Sequence, residues 1–171
     1  LMQLINSFEN NMHRELSLTN EFHNIEKFRK NFATRTEVYV PETYKNLSNN
    51  NVLTMEFIDG FKVNNKEKII EVGMQPQEVA QLGIVLFMKM VLEDGFFHAD
   101  PHPGNVFIRA DKKVSFIDFG SMGQIMKGDM ELLESIIENF MIQDAKKIIR
   151  LIKRLAIEYH IEDEKTLERD I

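Results

Sequence analysis

Residues 98–120 run His-Ala-Asp-Pro-His-Pro-Gly-Asn-Val-Phe-Ile-Arg-Ala-Asp-Lys-Lys-Val-Ser-Phe-Ile-Asp-Phe-Gly, and few backbones accommodate that string. Pro101 and Pro103 fix φ and remove two donors, while Gly104 admits a turn, so the opening octet is a stiff loop rather than a helix or strand. Two short apolar runs follow, 106–108 and 114–117. They are separated by Arg109, Ala110, Asp111, Lys112 and Lys113, which reads as a compact hairpin. The hairpin delivers Asp118 back towards the loop.

That layout carries chemistry. Asp100 is followed five positions on by Asn105, and the hairpin ends in Asp118-Phe-Gly. Kinases use this spacing to hold a nucleophile beside Mg-ATP. Mg2+ takes oxygen ligands, usually one or two from side chains and the rest from phosphate and water. Asn105 and Asp118 can supply the protein's share. Asp100 is left to orient an attacking hydroxyl or water and to accept its proton, and His98 braces the loop from behind. A hydrolase metal site built from His98, Asp100 and His102 also fits the spacing but leaves Asn105 and Asp118 without a role. The featureless alternative is a Pro/Gly-rich loop beside an unrelated turn.

Composition narrows the class. With 171 residues, 43% hydrophobic and 28% charged, the chain is an ordinary globular one with a core of useful size. Zero cysteines exclude a disulfide scaffold and thiolate chemistry and point mildly to a reducing, intracellular setting. A net charge of −6 gives no broad nucleic-acid surface. No run approaches the roughly 20 apolar residues of a membrane span, and no signal peptide opens the chain. The chain starts at Leu1 within a helical pattern, as a piece lacking its N-terminal part would.

The remaining elements are read from period and punctuation. Residues 1–32 are helical, with Leu18, Phe22, Ile25 and Phe28 on one stripe, ended by Asn31 and Thr34. Residues 37–41 form a strand curtailed by Pro41, residues 43–47 pair with or continue it, and residues 52–57 form a further strand. A short helix over 65–72 is closed by Gly73. A longer one starts at Pro76 and runs to about Asp94, apolar nearly all round and hence buried, and Gly95 stops it. Helices over 128–143, 145–159 and from Glu164 onward complete an α+β chain. The strand 52–57 suits a connector between two lobes, with Met55 behind an adenine ring and the main chain at Glu56 and Ile58 bonding its edge; taken alone it is as readily an ordinary core strand. Glu21 and Glu15, taken alone, are solvated charges on a helix. Lys146, Lys147, Arg150, Lys153 and Arg154 make one helix face basic, a solvated face or one facing an anionic membrane.

Taken together, these segments resemble the UbiB/AarF family of atypical kinase-like proteins. The resemblance rests on Glu15-Leu-Ser-Leu-Thr-Asn-Glu-Phe-His-Asn24, Val52-Leu-Thr-Met-Glu-Phe-Ile-Asp-Gly60, Phe97-His-Ala-Asp-Pro-His-Pro-Gly-Asn105 and Ile117-Asp-Phe-Gly120. It implies a protein-kinase-like fold in which residues 1–57 are part of an N-lobe and residues 58–171 a helical C-lobe. It implies ATP and Mg2+ as cofactors and kinase or ATPase activity in isoprenoid-quinone synthesis. Glu21 would pair with the phosphate-binding lysine, and Glu15 would be the first acid of the family's Glu-x-Asp motif, so both join the nucleotide site. Ser17 stands where the family has the second acid. The lysine strand, the loop over the phosphates and the Lys-x-Gly-Gln segment would all precede Leu1.

Two features concern the acceptor. Only residues 121–127 separate Asp-Phe-Gly from the next helix, no Ala-Pro-Glu closes a peptide platform, and Ala99 replaces the Arg that would receive a loop phosphate. The expected partners are a nucleotide, an isoprenoid-quinone precursor or lipid, and peripheral membrane or quinone-synthesis proteins, with a cytoplasmic location at the inner membrane face. Two other functions share parts of the pattern: a small-molecule phosphotransferase of the aminoglycoside or choline type, and an inactive scaffold.

Overall fold

The computed structural model describes residues 18–155. The helical reading before Leu18, with Glu15 and Ser17, and the readings after residue 155 lie outside the described residues. What is described is α+β. Helix α1 (Leu18–Asn31) forms because Phe22, Ile25 and Phe28 recur at helical steps, and Ile25 and Phe28 are buried. Phe28 stacks on Phe32 with centroids 4.3 Å apart. It also meets Phe116 and Phe119 edge-on at 5.4 and 5.1 Å. These rings seat α1 on the hairpin and on the Asp-Phe-Gly turn.

The hairpin of β4 (Val106–Ile108) and β5 (Val114–Phe116) is the centre of a four-stranded sheet. Val106 lies opposite Phe116 and Ile108 opposite Val114. Strand β1 (Val38–Tyr39) runs parallel to β5, Val38 beside Val114, and β2 (Phe61–Lys62) runs antiparallel to β4. The order is β1-β5-β4-β2. A second ladder joins β3 (Phe96–His98) to β6 (Met122–Gln124), with His98 opposite Met122.

Two expectations need correction. Residues 52–57 are not a regular strand. They fold back on residues 42–49 through isolated bridges, Thr43 to Met55 and Asn49 to Val52. Backbone bonds join them at intervals, Tyr44 N–H to the Thr54 carbonyl (2.9 Å) and Glu56 N–H to the Glu42 carbonyl (2.7 Å), and side chains fill between: Ser48 Oγ accepts from the Thr54 N–H (2.9 Å) and Thr54 Oγ donates to the Leu47 carbonyl (2.7 Å). The long apolar helix is not buried all round either. Helix α2 (Lys66–Glu71), capped by Asn65, leads to α3 (Pro76–Met88), which buries Val79 and Leu86 but leaves Ile84 65% and Val85 49% exposed. A helix has one side against the sheet, and apolar composition alone does not supply a neighbour for the other.

Helix α3 continues as a π-helical turn (Lys89–Glu93), which brings Lys89 into the interior. Its ammonium donates to both carboxylate oxygens of Asp94, at 2.7 and 2.8 Å. Gly95 follows at φ 56°, where an added Cβ would also meet the Ile125 carbonyl oxygen at 2.9 Å, so glycine is favoured on both counts. Helices α4 (Lys127–Met141) and α5 (Ala145–Leu155) pack on each other, burying Ile148 and Ile149. The apolar stripe on α4 is only partly covered: Leu132, Leu133 and Ile136 are half-buried and Phe140 is exposed.

Candidate active site

The two ladders bring the loop and the Asp-Phe-Gly turn to one place. The register that sets Val106 against Phe116 continues one step, so the Ile117 N–H donates to the Asn105 carbonyl (3.1 Å), leaving Asp118 just beyond. The β3–β6 register also continues one step, with the Ala99 N–H donating to the Ser121 carbonyl (2.9 Å), leaving Asp100 just beyond on that side. His98 lies between. It is buried, its Nδ1 accepts from the Asp100 N–H (3.2 Å), and both Asp118 and Asp100 act on its charge. Burial nonetheless dominates and holds the imidazole below its ordinary pKa, so the ring is neutral near pH 7. The main chain at Asp118 lies beside it and favours the charged form, yet Nε2 makes no hydrogen bond of good geometry.

The oxygens a cation needs are free. Asp118 is exposed and only its Oδ1 is engaged, by the Gly120 N–H (3.0 Å). The Asn105 side chain and the Asp100 carboxylate make no hydrogen bond or ion pair among the described residues. An amide oxygen and a carboxylate oxygen on adjoining segments fit a hard divalent ion that completes its shell elsewhere. The three-ligand alternative is not assembled: among the described residues no group of three His, Cys, Asp or Glu is placed to hold a metal. His102 turns its Nδ1 to the Gly104 N–H (3.0 Å).

Glu21 is not a solvated charge. It is half-buried on α1 and its Oε1 accepts from the Phe119 N–H (3.1 Å). Burial raises its pKa, the Phe119 N–H opposes that, and the nearby Asp118 adds to the rise. In the segment carrying Met55, Glu56 and Ile58, the Glu56 N–H is taken by the Glu42 carbonyl (2.7 Å). The Glu56 carbonyl and the Ile58 N–H have no backbone partner among the described residues. The Glu56 side chain is fixed by the Tyr39 hydroxyl, which donates to its carboxylate at 2.7 and 2.8 Å, and Arg109 stacks over the Tyr39 ring at 3.8 Å. That hydrogen bond lowers the Glu56 pKa and raises that of Tyr39.

The profile of the ABC1 atypical kinase-like domain matches residues 1–152. The chain belongs to the ABC1 family. It is 40% identical over 144 residues to an uncharacterized protein of Synechocystis, covering 84% of this chain and 25% of that one. It is 31% identical over 154 residues to a probable protein kinase UbiB of Pasteurella multocida, covering 88% of this chain and 29% of that one. This chain thus spans between a quarter and a third of the length of these curated relatives. Among solved structures, the Rv3197–erythromycin complex from Mycobacterium tuberculosis aligns with a TM-score of 0.69 at 20% identity. The match covers 95% of this chain and 42% of that one, and shows the kinase-like fold.

Within this ABC1 fold an apolar cavity of about 550 Å³ lies between α2, α3 and the hairpin, with Val79, Phe87, Val106 and Phe116 in its walls. Its lining includes His98 and Pro101 but not Asp100, Asn105 or Asp118, so it adjoins the polar site rather than containing it. Sequence reasoning passed over three residues that touch the candidate segments: Asn24, whose Nδ2 donates to the Phe119 carbonyl (2.8 Å), and the pair Tyr39 and Arg109, which hold Glu56. Asn24 had a signal, since it sits three positions after Glu21 on the same helical face. Tyr39 and Arg109 had none, because their partners are tertiary.

Proposed function

We propose that this chain is the metal- and acceptor-side half of a Mg-ATP-dependent kinase or ATPase of the UbiB type, serving isoprenoid-quinone synthesis. One observation carries the reading: two ladder registers converge on Asp100, Asn105 and Asp118, with free oxygens on all three. Mg-ATP, when bound, supplies the phosphoryl group and the charge that activates it. Asn105 and Asp118 hold the cation. Asp100 orients the attacking hydroxyl or water and takes its proton. His98, neutral and buried, keeps the Asp100 main chain in place. The Glu56 carbonyl and Ile58 N–H offer an acceptor and a donor to the base edge, with Met55 behind it. Glu21 pairs with the phosphate-binding lysine, and Glu15 serves the same nucleotide site. Residues 1–57 then belong to the N-lobe and 58–171 to the C-lobe.

The apolar cavity against His98 supports an apolar acceptor, a quinone precursor or lipid. No helix of the described residues is long and apolar enough to cross a membrane. The exposed Lys146, Lys147 and Arg150, near exposed Phe140, Met141 and Ile142, support a peripheral position on the inner membrane face. The test is Mg-ATP turnover by the full-length protein. Asp118→Asn is expected to abolish it, on the order of 10²-fold or more for loss of a metal ligand. Turnover unchanged by that substitution, or unchanged quinone content in cells lacking the gene, would overturn the respective half of the reading.

A further inference from the structure

Helix α1 grips one residue of the Asp-Phe-Gly turn at every point where a residue can be held. Glu21 accepts the Phe119 N–H at 3.1 Å and Asn24 donates to the Phe119 carbonyl at 2.8 Å. The Phe119 ring is fully buried, 5.1 Å from Phe28 of the same helix. Donor meets acceptor in both bonds, and the two side chains sit three residues apart, so one helical face reads one main chain. The residue before Phe119 is Asp118, and the residue after it is Gly120, whose N–H returns to Asp118 Oδ1 at 3.0 Å. The stretch beyond is pinned as well, through the Ala99 to Ser121 bond and the β3–β6 ladder. The peptide that joins Phe119 to Gly120 thus faces both ways: its carbonyl is held from α1 by Asn24 and its N–H is held on Asp118 Oδ1, which ties the direction of that carboxylate to the seat of α1.

We infer that Asn24 is a positioning residue for the metal site: by holding the Phe119 carbonyl it fixes the Asp118 carboxylate and couples the seat of α1 to cation binding. The inference rests on the Mg-nucleotide reading above and adds a residue and a route to it. An asparagine is required rather than any polar group. A carboxylate in its place would set an oxygen against the Phe119 carbonyl, close to Glu21 and Asp118. An alanine would leave that half-buried carbonyl without a partner. Loss of one such bond costs on the order of 1–2 kcal/mol, which is about tenfold in an equilibrium constant.

The experiment is a Mg2+ titration of the full-length protein at fixed fluorescent ATP analogue, with the analogue's affinity in excess chelator measured beside it. Asn24→Ala is expected to raise the Mg2+ concentration at half-saturation about tenfold and to leave the metal-free affinity unchanged. Asn24→Asp, equal in size and so neutral to packing, is expected to raise it further. A loss of equal size with and without metal would mark Asn24 as merely structural and overturn the inference, as would wild-type titrations from both variants. Should Asn24→Ala not fold, Asn24→Asp decides by the same comparison. Wild-type protein that binds the analogue without any response to Mg2+ would remove the metal reading itself, an outcome separate from the variants' behaviour.

Discussion

His98 shows how a single buried titratable group ties stability to pH. Its folded pKa is depressed by burial below the ordinary 6.5, so the unfolded chain takes up a proton first on acidification. Stability supplied by the neutral ring is complete above 6.5 and drains as pH falls from there towards the folded value. Glu21 runs the other way: burial raises its pKa, so its contribution is fully present below the ordinary 4.5 and is lost as pH rises through the raised value. Between pH 7 and 5 the melting temperature of the wild type should therefore lose more than that of His98→Gln, the difference isolating this ring from Glu21 and the rest. Equal slopes for both proteins would contradict the burial argument. At Gly123 the expectation is steric. A Cβ there would meet the Phe97 ring at 2.3 Å, so Gly123→Ala should destabilise by about 1–3 kcal/mol, measured by chemical denaturation.

At the scale of elements, α1 and α5 make separate predictions. Phe28 is buried among three aromatic rings, so Phe28→Ala should cost about 3–5 kcal/mol and loosen the Asp-Phe-Gly turn with it. The basic face of α5 should matter to location and not to folding. Replacing Lys146, Lys147 and Arg150 by Glu should weaken co-sedimentation with anionic vesicles at least tenfold, since each cation near such a surface is worth about 1 kcal/mol. Helices and hairpin were legible in the sequence because their signals are local: stripe spacing for α1, Pro76 and Gly95 for the bounds of α3 with its π-helical continuation, and the Arg109 to Lys113 turn between β4 and β5. The strands β2, β3 and β6 were not, because two or three residues are too few to show a period. Residues 52–57 misled through β-branched composition, which says nothing of Ser48 and Thr54 satisfying the backbone from the side.

For the molecule as a whole, the segment after Asp-Phe-Gly is short and paired, since β6 is zipped to β3 and α4 begins at Lys127, and it offers no long platform of the protein-kinase kind. The full-length protein is therefore expected not to phosphorylate a peptide library. A robust, Asp100-dependent signal there would overturn the choice of acceptor. The proposed site residues Asp100, Asn105 and Asp118 are read from spacing alone, and the two ladders set them on adjoining segments. The hold of Asn24 on a carbonyl 95 positions away was not so legible, since it exists only once α1 is seated.

Strand β1 lies beside β5 and nothing else pairs with it among the described residues, so Val38 must wait for Val114. During synthesis the ribosome releases about seventy-five residues between the two, and throughout that interval β1 has no sheet to join. A nascent chain stalled near residue 105 should show rapid amide exchange at residue 39, and release of the finished chain should slow it. Translation through the hairpin is thus the step that closes the sheet from both ends.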